Sequence, residues 1–319
     1  MKKLNVLVTG GAGFIGSNLI EHYLNDDRIK LVRAVDNFSN GYKQNIKGFI
    51  SNPRFEFIEG DIKNFNTCLK ACDNIDIISH QAALGSVPRS IKDPIASVES
   101  NIIGTINVMM ASVEANVERV ILAFSSSTYG DHKTLPKIEN IIGNPLSPYA
   151  VTKSSIEQFA TVLGKTYDID WIGLRYFNVF GPNQQPNNPY AAVIPIFVKS
   201  ILNNNLITIN GDGQTTRDFT YIDNIIKINS LATFTKNKNA LNQIYNAATS
   251  NQISLNTLVK KIEKITSIKA KVKFGPERVG DVKHSFASIK KAETLLGYKP
   301  EVGFEEGLTN TINWIKRII

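Results

Sequence analysis

The stretch that most limits what this chain can fold into lies at its start. A short apolar run over residues 4–8 leads into Thr9-Gly10-Gly11-Ala12-Gly13-Phe14-Ile15-Gly16, and an amphipathic segment over residues 14–24 follows at once. Strand, glycine turn and helix in that order form the context of a dinucleotide loop. The glycines allow a tight turn and let a pyrophosphate approach the first helical amides, where free donors and the helix dipole favour negative charge. Asp36 falls twenty residues after Gly16, at the end of the next strand-like run. A carboxylate there accepts hydrogen bonds from ribose hydroxyls and repels a 2′-phosphate, so the spacing predicts NAD rather than NADP.

The rest of the first half keeps the same rhythm. Residues 5–8, 30–36, 55–59, 75–80 and 120–125 read as strands, with helical patterns at 14–24, 65–72 and 95–114 between several of them. Such alternation predicts an α/β fold, a Rossmann-like doubly wound parallel sheet covered on both faces. The helix beginning near Tyr149 and a strand over 169–176 extend it. Beyond residue 178 the pattern loosens: a loop rich in Asn, Gln and Pro at 183–189, a helix over 191–202, a strand over 206–209, and helices at 224–235, 255–266 and 304–316. The expected organisation is a nucleotide-binding domain over 1–178 and a smaller mixed α/β substrate domain over 179–319, with some later segments free to return to the first sheet.

Ser147-Pro148-Tyr149-Ala150-Val151-Thr152-Lys153 carries the second chemical signal. Pro148 suits a first helical position and Ser147 can cap the free amides. Tyr149 and Lys153 then share one face, and steps of three and four lead on to Ile156, Phe159, Ala160 and Leu163, an apolar stripe that turns the pair inward. A free tyrosine has a pKa of about 10, so it serves as a base near neutrality only where a fixed positive charge stabilises the phenolate. Lys153 can supply that charge.

Composition closes several other routes. The chain has 319 residues and 42% hydrophobic composition, enough for a sizeable core. Its apolar runs fall well short of the roughly 20 residues that span a bilayer. The first strand begins so near Met1 that a leader is not expected, and the predicted location is cytoplasmic, without a membrane partner. Cys68 and Cys72 are spaced as helix neighbours, and His22, His80, His132 and His284 are scattered, so no metal is predicted. The net charge of +8 is spread along the chain and no basic run interleaves with aromatics. A solvated surface and an anionic small-molecule substrate suit it better than nucleic acid.

Further candidates follow the strands, at the ends where ligands bind such sheets: Asp61-Ile62 after the third, Gln81-Ala82-Ala83 after the fourth and Ser125-Ser126-Ser127-Thr128-Tyr129-Gly130 after the fifth. Small residues at Ala82 and Ala83 leave room for a cofactor. With the glycine loop and the Tyr149/Lys153 pair, and with Arg175-Tyr176-Phe177-Asn178-Val179-Phe180-Gly181-Pro182, Asn210-Gly211-Asp212-Gly213, Arg217-Asp218-Phe219 and Leu296-Gly297-Tyr298-Lys299-Pro300 downstream, the chain resembles the extended short-chain dehydrogenase/reductases, specifically the nucleotide-sugar epimerases and dehydratases, over essentially its whole length.

That resemblance implies an isomerase that oxidises C4 of a UDP-sugar with bound NAD and reduces it on the other face. It makes Tyr149 the acid/base, Lys153 the ligand of the nicotinamide ribose, and Ser125 the hydroxyl that shares the proton's hydrogen bonds. The cofactor contacts it implies are Gly10, Gly13, Phe14, Ile15, Gly16, Asp36, Asn37, Ser39, Gly41, Asp61, Ile62, Gln81, Ala82, Ala83, Tyr149, Lys153, Tyr176 and Val179. The substrate contacts are Gly85, Ser86, Ser125, Ser126, Tyr149, Asn178, Ala192, Val193, Asn210, Arg217, Arg278, Asp281 and Ser285. Ser126-Ser127 stands where the dehydratases carry an Asp-Glu pair, which favours epimerisation. The small residues Gly85, Ala192 and Ser285 match a subgroup that accepts an acetamido group, pointing to interconversion of UDP-N-acetylglucosamine and UDP-N-acetylgalactosamine. UDP-N-acetylglucosaminuronate is the nearest alternative, plain UDP-glucose or UDP-glucuronate a more distant one, and a non-catalytic NAD-sensing protein the alternative from another class. The resemblance also implies a homodimer.

Overall fold

The computed structural model describes residues 2–188, 190–276 and 283–319. Its frame is a seven-stranded parallel sheet. Six strands run β1 (Leu4–Thr9), β2 (Ile29–Asp36), β3 (Phe55–Glu59), β4 (Ile77–His80), β5 (Arg119–Ser125) and β6 (Trp171–Tyr176). The seventh, Gln243–Ala247, lies outside β6, and the spatial order is seventh, β6, β5, β4, β1, β2, β3. The chain therefore leaves β1 in one direction through β2 and β3, and in the other through β4 to β6. The crevice between β1 and β4 is the switch point at which open α/β sheets bind ligands.

Register carries the site residues to one edge. Thr9 pairs with His80 and Ser125 with Tyr176, so the ends of β1, β4, β5 and β6 line up. The strands are almost wholly apolar because both faces are covered: Val6, Val8, Ile121, Ile172 and Leu174 pack in one layer, and Leu7, Ile78, Val120 and Leu122 in the other.

Two elements depart from the expected pattern. The helical stretch predicted over 95–114 divides into Pro94–Val98, a π-helical turn at Glu99–Ile103 and Gly104–Glu114. Gly104 is required there, since an added Cβ would come within 2.6 Å of the Ile62 side chain. The seventh strand has a polar reason for escaping a search for apolar runs: its buried Asn246 gives and accepts hydrogen bonds with Lys137 O (3.1 Å), Ser288 O (3.0 Å) and Tyr129 OH (2.6 Å). Away from the sheet, Leu206–Asn210 pairs in parallel with Lys271–Gly275, another strand the residue pattern does not announce. Among the described residues no helix is long and apolar enough to cross a membrane.

Candidate active site

The glycine loop is closed by contact. Gly10 has φ +68°, and an added Cβ there would lie 2.8 Å from the backbone of Ala82; one at Gly16 would lie 2.2 Å from Gly10 O. Gly41 seats the next loop against Ala12 at a similar range, and Tyr42 N–H donates to Ala12 O (2.9 Å). Asp36 is buried and accepts from Ala12 N–H (2.9 Å) and Phe38 N–H (2.7 Å). Burial pushes its carboxyl upward and those amides oppose the push. Asn37 donates to Asp61 (3.0 Å) and accepts from Ser39 N–H (2.9 Å), tying the ends of β2 and β3 together. Phe14 and Ile15 open the helix Phe14–Leu24, whose N-cap is Gly13. Bare amides at a helix start, a floor from which a Cβ is excluded at Gly10, Gly16 and Gly41, and a carboxylate at the end of β2 together fit a dinucleotide.

Beneath this floor lies a buried polar chain. Ala82 N–H donates to Thr9 Oγ1 (3.2 Å), which bonds His80 Nδ1 (2.7 Å), and His80 Nε2 bonds Thr105 Oγ1 (3.0 Å). Thr105 gives its own proton to Asn101 O (2.5 Å). The direction is thereby fixed: Nε2 must carry hydrogen and Nδ1 must accept. The ring is neutral, its pKa pushed down to about 3 by burial, with the Lys153 charge adding to the effect. Asn101, placed by the π-turn, clasps Leu84 through N–H (2.8 Å) and C=O (3.2 Å) and donates to Thr152 Oγ1 (3.0 Å), which donates to Tyr149 O (2.8 Å). One amide thus sets the Gln81–Ser86 segment against the helix carrying Tyr149. Apolar periodicity could not find it; a lone Asn ahead of Gly104-Thr105 was the available signal. Gln81 itself accepts from Tyr176 OH (3.0 Å) and donates to Ser79 Oγ (3.0 Å).

The helix Pro148–Tyr167 begins as its sequence predicts, with Ser147 accepting from Ala150 N–H (3.1 Å). Of the stripe expected to face inward, Ile156 and Ala160 are buried, but Phe159 lies on the exposed side of the helix. Ser125, at the end of β5, stands beside the Tyr149 phenol and accepts hydrogen bonds from Ser127 N–H (3.1 Å) and Ser127 Oγ (2.9 Å). Those two bonds leave its own hydrogen available to an acceptor on the Tyr149 side. Burial raises the phenol's pKa and the Ser125 bond works against that rise. Lys153 is only 4% exposed and donates to Ala123 O (2.7 Å). Burial pushes its pKa down to about 8, and Glu157, one turn on, opposes the shift. Glu157 is held by Arg175 through two bonds (2.9 and 2.7 Å) and by Thr128 (3.1 Å).

The substrate-side candidates come from separate elements. Gly85 differs from the cradle glycines, because an added Cβ there meets nothing within 4 Å. Ser86 caps the helix Val87–Lys92 with φ +93° and ψ 122°, a conformation that favours glycine. Ser126 opens a short 3₁₀ turn. Asn178 has φ +35° and donates to Asp218 O (3.2 Å), and Val179 starts a two-residue strand against Thr220–Tyr221. Ala192 caps Val193–Leu202, and Asn210 ends a strand beside Gly275. Arg217 and Ser285 are brought together: Arg217 donates to Thr216 O (2.9 Å), and Ser285 N–H donates to the same oxygen (3.2 Å). Buried Asp218 anchors this corner through Thr249 (2.8 Å) and Ala287 N–H (3.3 Å). Arg278 and Asp281 lie outside the described residues.

Comparison with known proteins agrees over the full length. The profile of the NAD dependent epimerase/dehydratase family matches residues 6–248. The UDP-glucuronate 4-epimerase of Thermodesulfobacterium geofontis is 35% identical over 322 residues, covering 98% of this chain and 96% of its own. Among solved structures, UDP-N-acetylglucosamine 4-epimerase from Methanobrevibacter ruminantium in complex with UDP-N-acetylmuramic acid is 36% identical with a TM-score of 0.93, covering 100% of both chains. UDP-glucuronic acid 4-epimerase from Bacillus cereus, in complex with UDP-glucuronic acid and NAD, is 35% identical with a TM-score of 0.93, covering 99% of this chain and 100% of the other. With its glycine cradle, its switch-point crevice and these likenesses, the chain belongs to the NAD-dependent epimerase/dehydratase family.

Proposed function

We propose that this NAD-dependent UDP-sugar 4-epimerase interconverts UDP-N-acetylglucosamine and UDP-N-acetylgalactosamine, with Tyr149 as acid/base. The observation that carries the substrate choice is the open space at Gly85, on a segment pinned by Asn101 next to the Tyr149 helix. An acetamido group needs such a gap, and the smallest side chains at Gly85 and Ala192 leave one. The likeness to the Methanobrevibacter ruminantium enzyme supports the same choice. The glucuronate-epimerase relatives support a second reading, a substrate with a carboxylate at C6.

NAD, when bound, accepts the C4 hydride and later returns it, and brings a positive charge beside the phenol. Tyr149, as phenolate, takes the proton of the C4 hydroxyl while Ser125 donates a hydrogen bond across the forming carbonyl. Lys153, whose ammonium donates to Ala123 O in this structure, would hold the nicotinamide ribose and keep a cation near the phenolate oxygen. Once the 4-keto sugar has turned over in the pocket, Tyr149 returns its proton to the C4 oxygen; the hydride for the other face would come from the bound cofactor. Arg217 and Ser285 supply donors for the nucleotide end, where a guanidinium suits a diphosphate.

Proton NMR of the purified protein, given UDP-N-acetylglucosamine, its 6-carboxylate and UDP-glucose in separate tubes, tests the choice. A galacto-type H4 signal growing fastest from the first supports the proposal, and one from the 6-carboxylate alone moves the enzyme to uronates.

The pairing of two copies belongs to the same proposal. Ile95 is 71% exposed and Val162 61%, and Val98, Ile103, Val151 and Phe159 are also exposed on the neighbouring helices. These helices pack against one another, so their apolar faces form one surface suited to a second copy. Sedimentation of Val162→Glu should show monomer where the parent shows dimer.

A further inference from the structure

Three segments that belong to different parts of the site meet at one side-chain oxygen. Asn40 lies in the loop after β2, between Ser39 and Gly41, and Gly41 rests on Ala12 of the glycine loop. Its Oδ1 accepts from Arg89 Nη2 (3.0 Å), on the helix that follows Gly85 and Ser86, and from Asn188 Nδ2 (3.0 Å), on the segment leading to Ala192. The Arg89 guanidinium also lies over the Tyr190 ring, 4.6 Å from its centroid, and Tyr190 N–H is held by Asn188 Oδ1 (2.9 Å). Among the described residues Arg89 Nε is buried without a hydrogen-bond partner, so they do not saturate the guanidinium.

We propose that Arg89 is a positioning residue, the centre of a clasp that locks the cofactor-side loop to the substrate-side segment and so slows escape of NAD while a nucleotide sugar is in place. The argument is one of linkage. Asn40 can release Ala12 and the glycine loop only by moving with Gly41, and Arg89 and Asn188 resist that motion. Whatever draws Asn188 and Tyr190 inward also tightens Asn40, and by reciprocity a bound cofactor favours the inward position. Such coupling suits an epimerase, whose cofactor must stay through both hydride transfers. Arg suits the position: its planar fork can bond an amide at its rim while its face lies on an aromatic ring, which a lysine ammonium cannot reproduce.

The test is the rate at which NAD leaves the intact protein, followed by filtration and quantitation of released nucleotide, with and without UDP. In the parent, UDP should slow NAD loss; in Arg89→Ala the loss should be at least tenfold faster and UDP should no longer slow it. Arg89→Lys should restore only part of the retention, and Tyr190→Phe should keep most of it. Asn40→Ala, an exposed loop position, serves as the second variant if Arg89→Ala does not fold, and should lose the UDP effect in the same way. NAD loss at the parental rate in Asn40→Ala, with UDP still slowing it, overturns the clasp whatever sugar the enzyme prefers.

Discussion

Two glycines in this protein have opposite surroundings. At Gly10 an added Cβ would stand 2.8 Å from the Ala82 backbone at a positive φ; at Gly85 it would meet nothing within 4 Å. The first is a floor already occupied by main chain, where glycine is the only side chain that fits. The second borders open space, as Gly48, Gly297 and Gly303 also do, and on the proposed function that space faces the sugar. Substitutions should then act differently at the two positions: those at Gly10 disturb the fold, those at Gly85 selectivity.

The largest effect should come where the two sides meet. Tyr149→Phe removes the proton carrier without removing ring volume, and turnover should fall by about 10²–10⁴-fold while the NAD content of the purified protein stays at the parental level. Full turnover in that variant, read by NMR, would break the mechanism. Next is the buried ion pair behind Lys153. Glu157→Gln leaves Arg175, whose side chain is 3% exposed, without its carboxylate, and such a loss costs about 3–5 kcal/mol in chemical denaturation. Gly10→Ala should cost about 1–3 kcal/mol from backbone strain alone and release NAD, because both φ and Ala82 resist it.

Gly85→Leu tests the other side. It should leave the melting temperature almost unchanged, yet lower kcat/KM for UDP-N-acetylglucosamine roughly tenfold more than for UDP-glucose. Equal losses on both sugars would erase the contrast drawn between the two glycines. The remaining effect is one of pH. The ammonium of Lys153 titrates near 8 in the fold, against about 10.4 in an unfolded chain. Its cost to stability is therefore complete below pH 8 and relieved as pH rises through 8 towards 10.4, where the unfolded chain still holds the proton. The stability difference between the parent and Lys153→Met should move in the parent's favour across that window. Activity should instead decline above pH 8, as the cation is lost.

The part of the site legible in the sequence was the part made by short-range spacing. Strand, glycines and helix start within sixteen residues, Asp36 follows at a fixed interval, and Tyr149 and Lys153 share a helical face, so each signal is complete before any tertiary contact forms. Asn101 escaped because a π-turn shifts its direction within a stretch whose apolar residues read as one helix. His80 looked like a stray histidine, since Thr9 and Thr105, which determine its tautomer, reach it from distant segments. The strand Lys271–Gly275 is largely exposed and alternates lysine with apolar residues, which leaves little pattern to read. Arg217 and Ser285, proposed as substrate contacts, rest on family likeness, because no local rule brings residues so far apart to one backbone oxygen.

The seventh strand has a consequence for how the protein is made. β6 ends at Tyr176, but its outer neighbour begins only at Gln243. On a ribosome adding about 5–20 residues per second, the apolar edge of β6 emerges several seconds before the segment that covers it. During that interval the nascent sheet offers a row of unpaired amides and carbonyls able to recruit another strand. Chains cut short before residue 247 would carry this edge permanently, so the yield of folded enzyme depends on translation proceeding without pause between Tyr176 and Ala247.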